Sequence, residues 1–296
     1  MREPRILIPI DFSDLSYHAF PVGAEIAQIF DGKVTPLYCY VPEMYIHPAT
    51  GFEDDFRTSV SESDLLESEK LMLEKLQNIT SKYVAEELCE PAIIKMERPA
   101  EGIVNASKDF DMIVMSTHGR TGFTRIIMGS VAEKVVRYSD IPVVVVEDKR
   151  QFTPLERIMV TTDLTDQSKA AFSYAVDFVR ATNAELDLVH VVSLDDISSL
   201  VEANEILDKR KHKLKSFVDE YFYDVKDRVT PRVISTDASV HEALVKLTRK
   251  QEYNLLIMST IGKTGLDYLR MGSTAANVVR HVKMPVMTIK PSKITH

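Results

Sequence analysis

The chain is 296 residues long, 45% hydrophobic and 27% charged, with a formal net charge of −8 and a pI near 5.6. That length suits two domains of roughly 150 residues each, and the acidic balance argues against binding nucleic acid by phosphate neutralisation. No apolar run approaches the roughly 20 residues of a membrane span, Met1 to Arg5 lead into a strand-like run without a signal peptide, and two isolated thiols, Cys39 and Cys89, fit a reducing compartment, so a cytoplasmic protein is expected.

Ile6-Leu7-Ile8-Pro9-Ile10 is apolar on both faces and reads as a central parallel strand that ends at Asp11. Pro9 falls at its end, where no ladder donor is needed. Ser13 or Asp14 is placed to cap a helix through about Ile29, which Asp31-Gly32 ends. Val34 to Val41 is the second strand. Residues 43–55 hold His47, Pro48 and Gly51 without a clean period and read as an irregular excursion. Ser61 to Leu88 is a long amphipathic helix, with Glu67, Lys70 and Glu74 as surface charges. Ala92 to Met96 is the third strand, Ala100 to Phe110 a short helix, and Asp111 to Met115 the fourth strand. A glycine-bearing loop, Ser116 to Gly122, follows it, and Gly129-Ser130 opens a helix to Tyr138. Ile141 to Val146 is the fifth strand. Apolar strands alternating with helices predict a parallel sheet covered on both faces, with right-handed crossovers.

The charged stretch 147–156 reads as a linker between a first domain, 1–149, and a second, 150–296. The second half replays the first. Strands are expected at 158–163, 185–192, 229–235, 254–258 and 285–289, and helices at 165–180, 194–223 and 240–249, with a glycine loop at 259–265 and a last helix opened by Gly272-Ser273. The basic run 209–213 reads as a solvated helix face. Gly119 recurs as Gly262, Gly129 as Gly272 and Pro142 as Pro285, all at one constant offset. Asp11 lies further from Gly119 than Asp163 does from Gly262, and the extra length falls most naturally in the excursion at 43–55. Loops of that kind are functional or disordered.

In an open parallel sheet, ligands sit at the carboxyl ends of strands where the winding reverses. With strand order 3-2-1-4-5 in each half, strands one and four are neighbours. Asp11 and Asp163 then share a crevice with the glycine loops. A carboxylate there accepts from a base or ribose, and backbone N–H groups at a glycine loop and helix start hold phosphate. The plainer alternatives are that Asp11 caps the following helix and that the glycines only make a tight turn. Ser130 and Ser273 offer a hydroxyl and an N-cap. Arg120 and Lys263 are either phosphate-facing cations or solvated loop charges. Two common phosphate loops are excluded: Ile257 stands where a Walker A glycine is required, and no G-x-G-x-x-G follows either first strand. The eight histidines lack ligand spacing, so no metal is expected, and His118 reads as a loop residue.

Ile8-Pro9-Ile10-Asp11-Phe12-Ser13, Met115 through Gly122, Met128 through Arg137 and Ile141 through Val146 together resemble the universal stress protein family, and the similarity covers both halves. The family's pattern is G-x-x-G, nine residues, then G-S/T. Gly119 and Gly129 enclose nine residues and Ser130 follows; Gly262, Gly272 and Ser273 match likewise. The first glycine of the pattern is replaced by Ser116 and Ser259, whose Cβ and hydroxyl would sit close to ribose or phosphates. The resemblance implies two tandem flavodoxin-like α/β domains (adenine nucleotide alpha hydrolase-like), each a five-stranded parallel sheet with helices on both faces. It implies ATP, ADP or AMP as ligand, with Mg2+ as an option. The first site would be Pro9, Ile10, Asp11, the backbone of Tyr40 or Val41, Met115, Ser116, His118, Gly119, Arg120, Gly122, Gly129, Ser130 and Val131. The second would be Thr161, Thr162, Asp163, Val191, Met258, Ser259, Gly262, Lys263, Gly265, Gly272, Ser273 and Thr274. The first copy is closer to the family, since Pro9 and His118 become Thr161 and Ile261. The implied role is a regulatory binding module in stress response; the alternatives are a slow ATPase or autokinase using Ser130 or Ser273, and a scaffold that binds no nucleotide. The fifth strands are expected to pair within the chain as a pseudo-dimer, with a homodimer as a further option.

Overall fold

The first half supplies β1 (Arg5–Pro9), α1 (Ala19–Phe30), β2 (Lys33–Cys39), α2 (Glu62–Thr80), β3 (Ile93–Lys95), α3 (Pro99–Ala106), β4 (Met112–Ser116), α4 (Ser130–Tyr138) and β5 (Val143–Val146). The second half supplies β6 (Arg157–Thr161), α5 (Phe172–Ala181), β7 (Glu185–Ser193), α6 (Leu200–Tyr221), β8 (Val229–Thr236), α7 (Val240–Lys250), β9 (Leu255–Ser259), α8 (Ser273–His281) and β10 (Val286–Ile289). These come from a computed structural model that describes residues 1–41, 62–117, 128–147, 152, 154–194, 199–250, 252–261 and 271–291. The excursion at 43–55 lies outside the described residues.

All ten strands join one sheet in the order β3-β2-β1-β4-β5-β10-β9-β6-β7-β8. Within each half the pairing is parallel in the order 3-2-1-4-5. The halves meet where β10 runs antiparallel to β5, with Val286 opposite Val145 and Thr288 opposite Val143. The fifth strand would be an open edge in either half alone, and their pairing covers it. The Thr288 hydroxyl donates to the Val143 carbonyl across this seam at 3.0 Å.

Alternation along the strands sorts side chains into two layers. Ile6 and Ile8 pack with α1, α5 and α6 through Phe20, Ile26, Phe172 and Phe217, while Leu7 packs on the other face with α3, α4, α7 and α8. Both layers run through both halves. The connection between the halves is more than a charged tether. Phe152 and Leu155 are buried, and Phe178 lies between Phe152 (centroids 6.5 Å) and Phe30 (5.0 Å) in edge-on contacts. Such ring pairs contribute about 0.5–1.5 kcal/mol beyond the area they bury.

Several helix boundaries differ from expectation: α3 ends at Ala106 and α5 starts at Phe172, each next to a 3-10 turn, at Ser107–Asp109 and Gln167–Ala171. α1 starts at Ala19, because Phe12 adopts a left-handed φ of 64° and a 3-10 turn at Ser16–His18 intervenes. α2 stops at Thr80, whose hydroxyl folds back onto the Leu76 carbonyl at 2.8 Å. α6 starts only at Leu200, where the Ser199 hydroxyl accepts from the Glu202 amide at 3.2 Å. The length difference between the halves is also distributed over two segments. Leu37 pairs with Ile93 and, at the same register, Val189 pairs with Arg232, so the first half has the longer path from its second strand to its third. It gives part of that back before the fourth strand, because Ile93 to Ile113 is a shorter step than Arg232 to Leu256.

Candidate functional site

β1 and β6 each end in the same unusual turn. The Ile10 amide still donates to Leu37 (2.8 Å) and the Thr162 amide to Val189 (2.9 Å), so strand pairing extends one residue past each ladder. Asp11 Oδ1 then accepts from the Ser13 amide (3.0 Å) and hydroxyl (2.6 Å), and Asp163 Oδ1 from the Thr165 amide (3.0 Å) and hydroxyl (2.5 Å). The residues between, Phe12 (φ 64°) and Leu164 (φ 65°), are left-handed without being glycine. That conformation costs of order 1–3 kcal/mol and persists only where the surroundings over-determine it. The aspartates therefore close a turn of their own and do not cap α1 or α5, which begin later.

The glycine loops rise from β4 and β9. Their bases are pinched shut: the Gly129 amide donates to the Thr117 carbonyl and the Gly272 amide to the Thr260 carbonyl, both at 2.8 Å. A Cβ on Gly272 would meet the Thr260 oxygen at 3.3 Å, a tight approach. Gly129 and Gly272 are the N-cap residues of α4 and α8, so Ser130 and Ser273 are the first helical residues and do not cap, contrary to expectation. Neither helix has a side-chain cap, so no side chain takes up their opening amides. The Ser259 hydroxyl is engaged with its own turn. It donates to the Ile261 carbonyl (2.9 Å) and accepts from the Ile261 amide (3.3 Å).

In the second half these parts enclose a cavity of about 350 Å³. Of the residues expected from sequence, Thr161, Thr162, Asp163, Val191, Met258, Ser259, Gly272, Ser273 and Thr274 line it. Ser168, Val189, His190, Val240, Leu244, Thr260 and Ala275 line it too and were not singled out. Val240 and Leu244 are ordinary inward positions of α7. His190 is a lone histidine in an apolar run, and its contact with Thr162 comes from 28 residues away. In the first half Pro9, Ile10, Asp11, Met115, Ser116, Gly129, Ser130 and Val131 stand at the same carboxyl ends, with Tyr40 and Val41 just past β2. By register Val191 matches Cys39, one and two residues before Tyr40 and Val41. His118, Gly119, Arg120, Gly122, Gly262, Lys263 and Gly265 lie outside the described residues.

A second cavity, of about 600 Å³, opens at the amino ends of β9 and β10 and contains none of the expected residues. Tyr253 on its wall donates to Asp187, a carboxylate 1% exposed, which also meets Arg157 (3.1 Å) and Arg232 (3.0 Å). Burial, then the hydrogen bond to Asp187 and its charge, pushes the Tyr253 phenol well above its ordinary range. Among the described residues no three His, Cys, Asp or Glu side chains group as metal ligands, and no helix is long and apolar enough to cross a membrane.

Cys39, beneath α3, is buried, and its thiol is pushed up to about 12 by burial and then by the charge of Glu97. The thiolate is the reactive form. At pH 8 Cys39 is therefore expected to react with a disulfide reagent only on unfolding; rapid labelling of the native chain at Cys39 would contradict its burial.

Comparison with known proteins matches this arrangement. The universal stress protein family model fits residues 4–147 and again 154–290. A universal stress protein of Mycolicibacterium smegmatis is 23% identical over 297 residues, covering 97% of each chain. One from Methanocaldococcus jannaschii is 31% identical over 152 residues, 50% of this chain and 84% of the relative. The crystal structure of a universal stress protein from Archaeoglobus fulgidus superposes with a TM-score of 0.67 at 20% identity, covering 99% of this chain and 98% of that one. The chain belongs to the universal stress protein family, with two repeats of its domain in tandem.

Proposed function

We propose that this stress protein binds an adenine nucleotide at the carboxyl ends of β6 and β9, and at the matching ends of β1 and β4, and acts as a regulatory binding module. The cavity of the second half carries the reading. It sets an apolar wall of Val189, Val191, Val240, Leu244 and Met258 beside the Asp163 carboxylate, with the opening of α8 facing them. The wall suits a purine face. The carboxylate accepts from the exocyclic amine of adenine and disfavours the carbonyl that guanine places there. The α8 amides with the Ser273 and Thr274 hydroxyls suit phosphate. α8 has no acid in its first turn, whereas α4 carries Glu133, which is engaged by Arg137 (2.7 Å) and Arg280 (3.6 Å). Glu133 is thereby neutralised, so the first turn of neither helix sets an uncompensated acid against phosphate. The residues fit the nucleotide itself, and Mg2+ would arrive on its phosphates.

Thermal or urea unfolding with and without Mg-ATP tests this. A ligand at a hundred times its Kd adds about 2.7 kcal/mol to the unfolding free energy. No shift with ATP, ADP or AMP would leave the scaffold reading in its place.

A further inference from the structure

Resting on the nucleotide reading, we infer that His190 is a positioning residue of the second crevice: it holds the backbone turn that presents Asp163. His190 is 3% exposed, and its Nδ1 lies 2.8 Å from the Thr162 carbonyl. A carbonyl only accepts, so Nδ1 carries the proton and donates. Thr162 is the residue before Asp163, and its own hydroxyl meets Ser168 (2.7 Å) and the Leu164 amide (3.0 Å). The histidine thus anchors one end of the turn whose centre, Leu164, is left-handed at φ 65°.

The first half keeps the same turn with a different device. There the Tyr17 hydroxyl donates to the Phe12 carbonyl at 3.0 Å, and Phe12 is the left-handed residue. In the β1-to-β6 register, Lys169 stands at the place of Tyr17 and turns to Asp166 (2.7 Å) and the Phe217 and Tyr221 rings. The second half therefore has no tyrosine at that place to hold the turn. At the place of His190 the first half has Tyr38, whose ring packs on Phe12 with centroids 4.5 Å apart. One strained turn recurs with two separate ways of fixing it, and His190 is the second.

The test uses the full chain carrying Asp11→Ala, so that the second crevice is the adenine-selective one, titrated with ATP and with GTP. His190→Leu is expected to lower ATP affinity about tenfold, the loss of one oriented hydrogen bond to the base, and to lower the preference for ATP over GTP with it. His190→Asn, whose amide reaches the Nδ1 position, is expected to keep both. A folded His190→Leu chain with parental affinity and preference overturns the inference. If His190→Leu does not fold, His190→Gln replaces it: loss in the Gln variant with retention in the Asn variant supports the role, and equal behaviour of the two overturns it. A ligand-free readout separates this inference from the reading beneath it. Hydrogen exchange at the Leu164 and Thr165 amides should quicken in His190→Leu relative to His190→Asn, and unchanged exchange overturns the inference. If the parent binds no nucleotide yet exchange quickens, the nucleotide reading fails and the positioning of the turn stands.

Discussion

Asp187→Ala is expected to lower the unfolding free energy by about 3 kcal/mol, the lower end of the range for removing one partner of a buried ion pair. Asp187 is 1% exposed and is met by Arg157, Arg232 and Tyr253 from the neighbouring strands and the turn before β9. Its removal leaves two guanidinium groups facing each other without their common carboxylate. Both arginines are about a third open to water (35% and 29%), which holds the cost to the lower end. The first half supplies the control. There Thr35 occupies the register of Asp187, and the acid is Glu90, which binds Thr35 at 2.9 Å and Arg5 at 3.3 Å near the surface. Glu90→Ala should cost no more than about 1 kcal/mol, as exposed pairs do. Urea denaturation of both variants checks the contrast, and equal effects would contradict it.

Ser273→Asp is expected to move stability and binding in opposite directions. Position 273 is the exposed first residue of α8. A carboxylate there complements the helix dipole and should stabilise the fold by about 0.3–1 kcal/mol. The same carboxylate stands where the proposed phosphates meet the helix amides, so nucleotide affinity should fall by about tenfold or more, a loss of at least about 1.4 kcal/mol. A merely damaging substitution would lower both quantities. Unfolding in the absence of ligand and calorimetric titration with ATP, run on one preparation, separate the two outcomes.

Much of the fold is legible because it is written twice. Five apolar runs per half, a constant offset from the glycine loops onward, and an aspartate at each first strand's end are read directly, and the order 3-2-1-4-5 assumed for each half is the one observed. Less legible are features that depend on partners distant in sequence. Asp187 lies between Leu186 and Leu188, and a carboxylate inside an apolar strand signals a paired charge, yet Tyr253 is 66 residues away. Phe152 is one aromatic in a charged stretch, and its ring contact with Phe178 becomes evident only when α5 is in place. The helix start at Ser13 and the capping role of Ser130 fail for a local reason. The left-handed Phe12 delays α1, and the glycine before Ser130 takes the cap. His190 is the most consequential omission, because spacing for metal ligation is the wrong criterion for a histidine that holds a carbonyl.

Adenine nucleotide binding in the crevice between β6 and β9 is tested most directly by native mass spectrometry of the intact chain incubated with ATP. The expected result is a complex whose ATP count falls on Ser273→Asp and on Asp163→Ala, with any ATP at the matching ends of β1 and β4 retained. A chain that stays unliganded with ATP, ADP and AMP alike, or a complex undiminished by both substitutions, would contradict it.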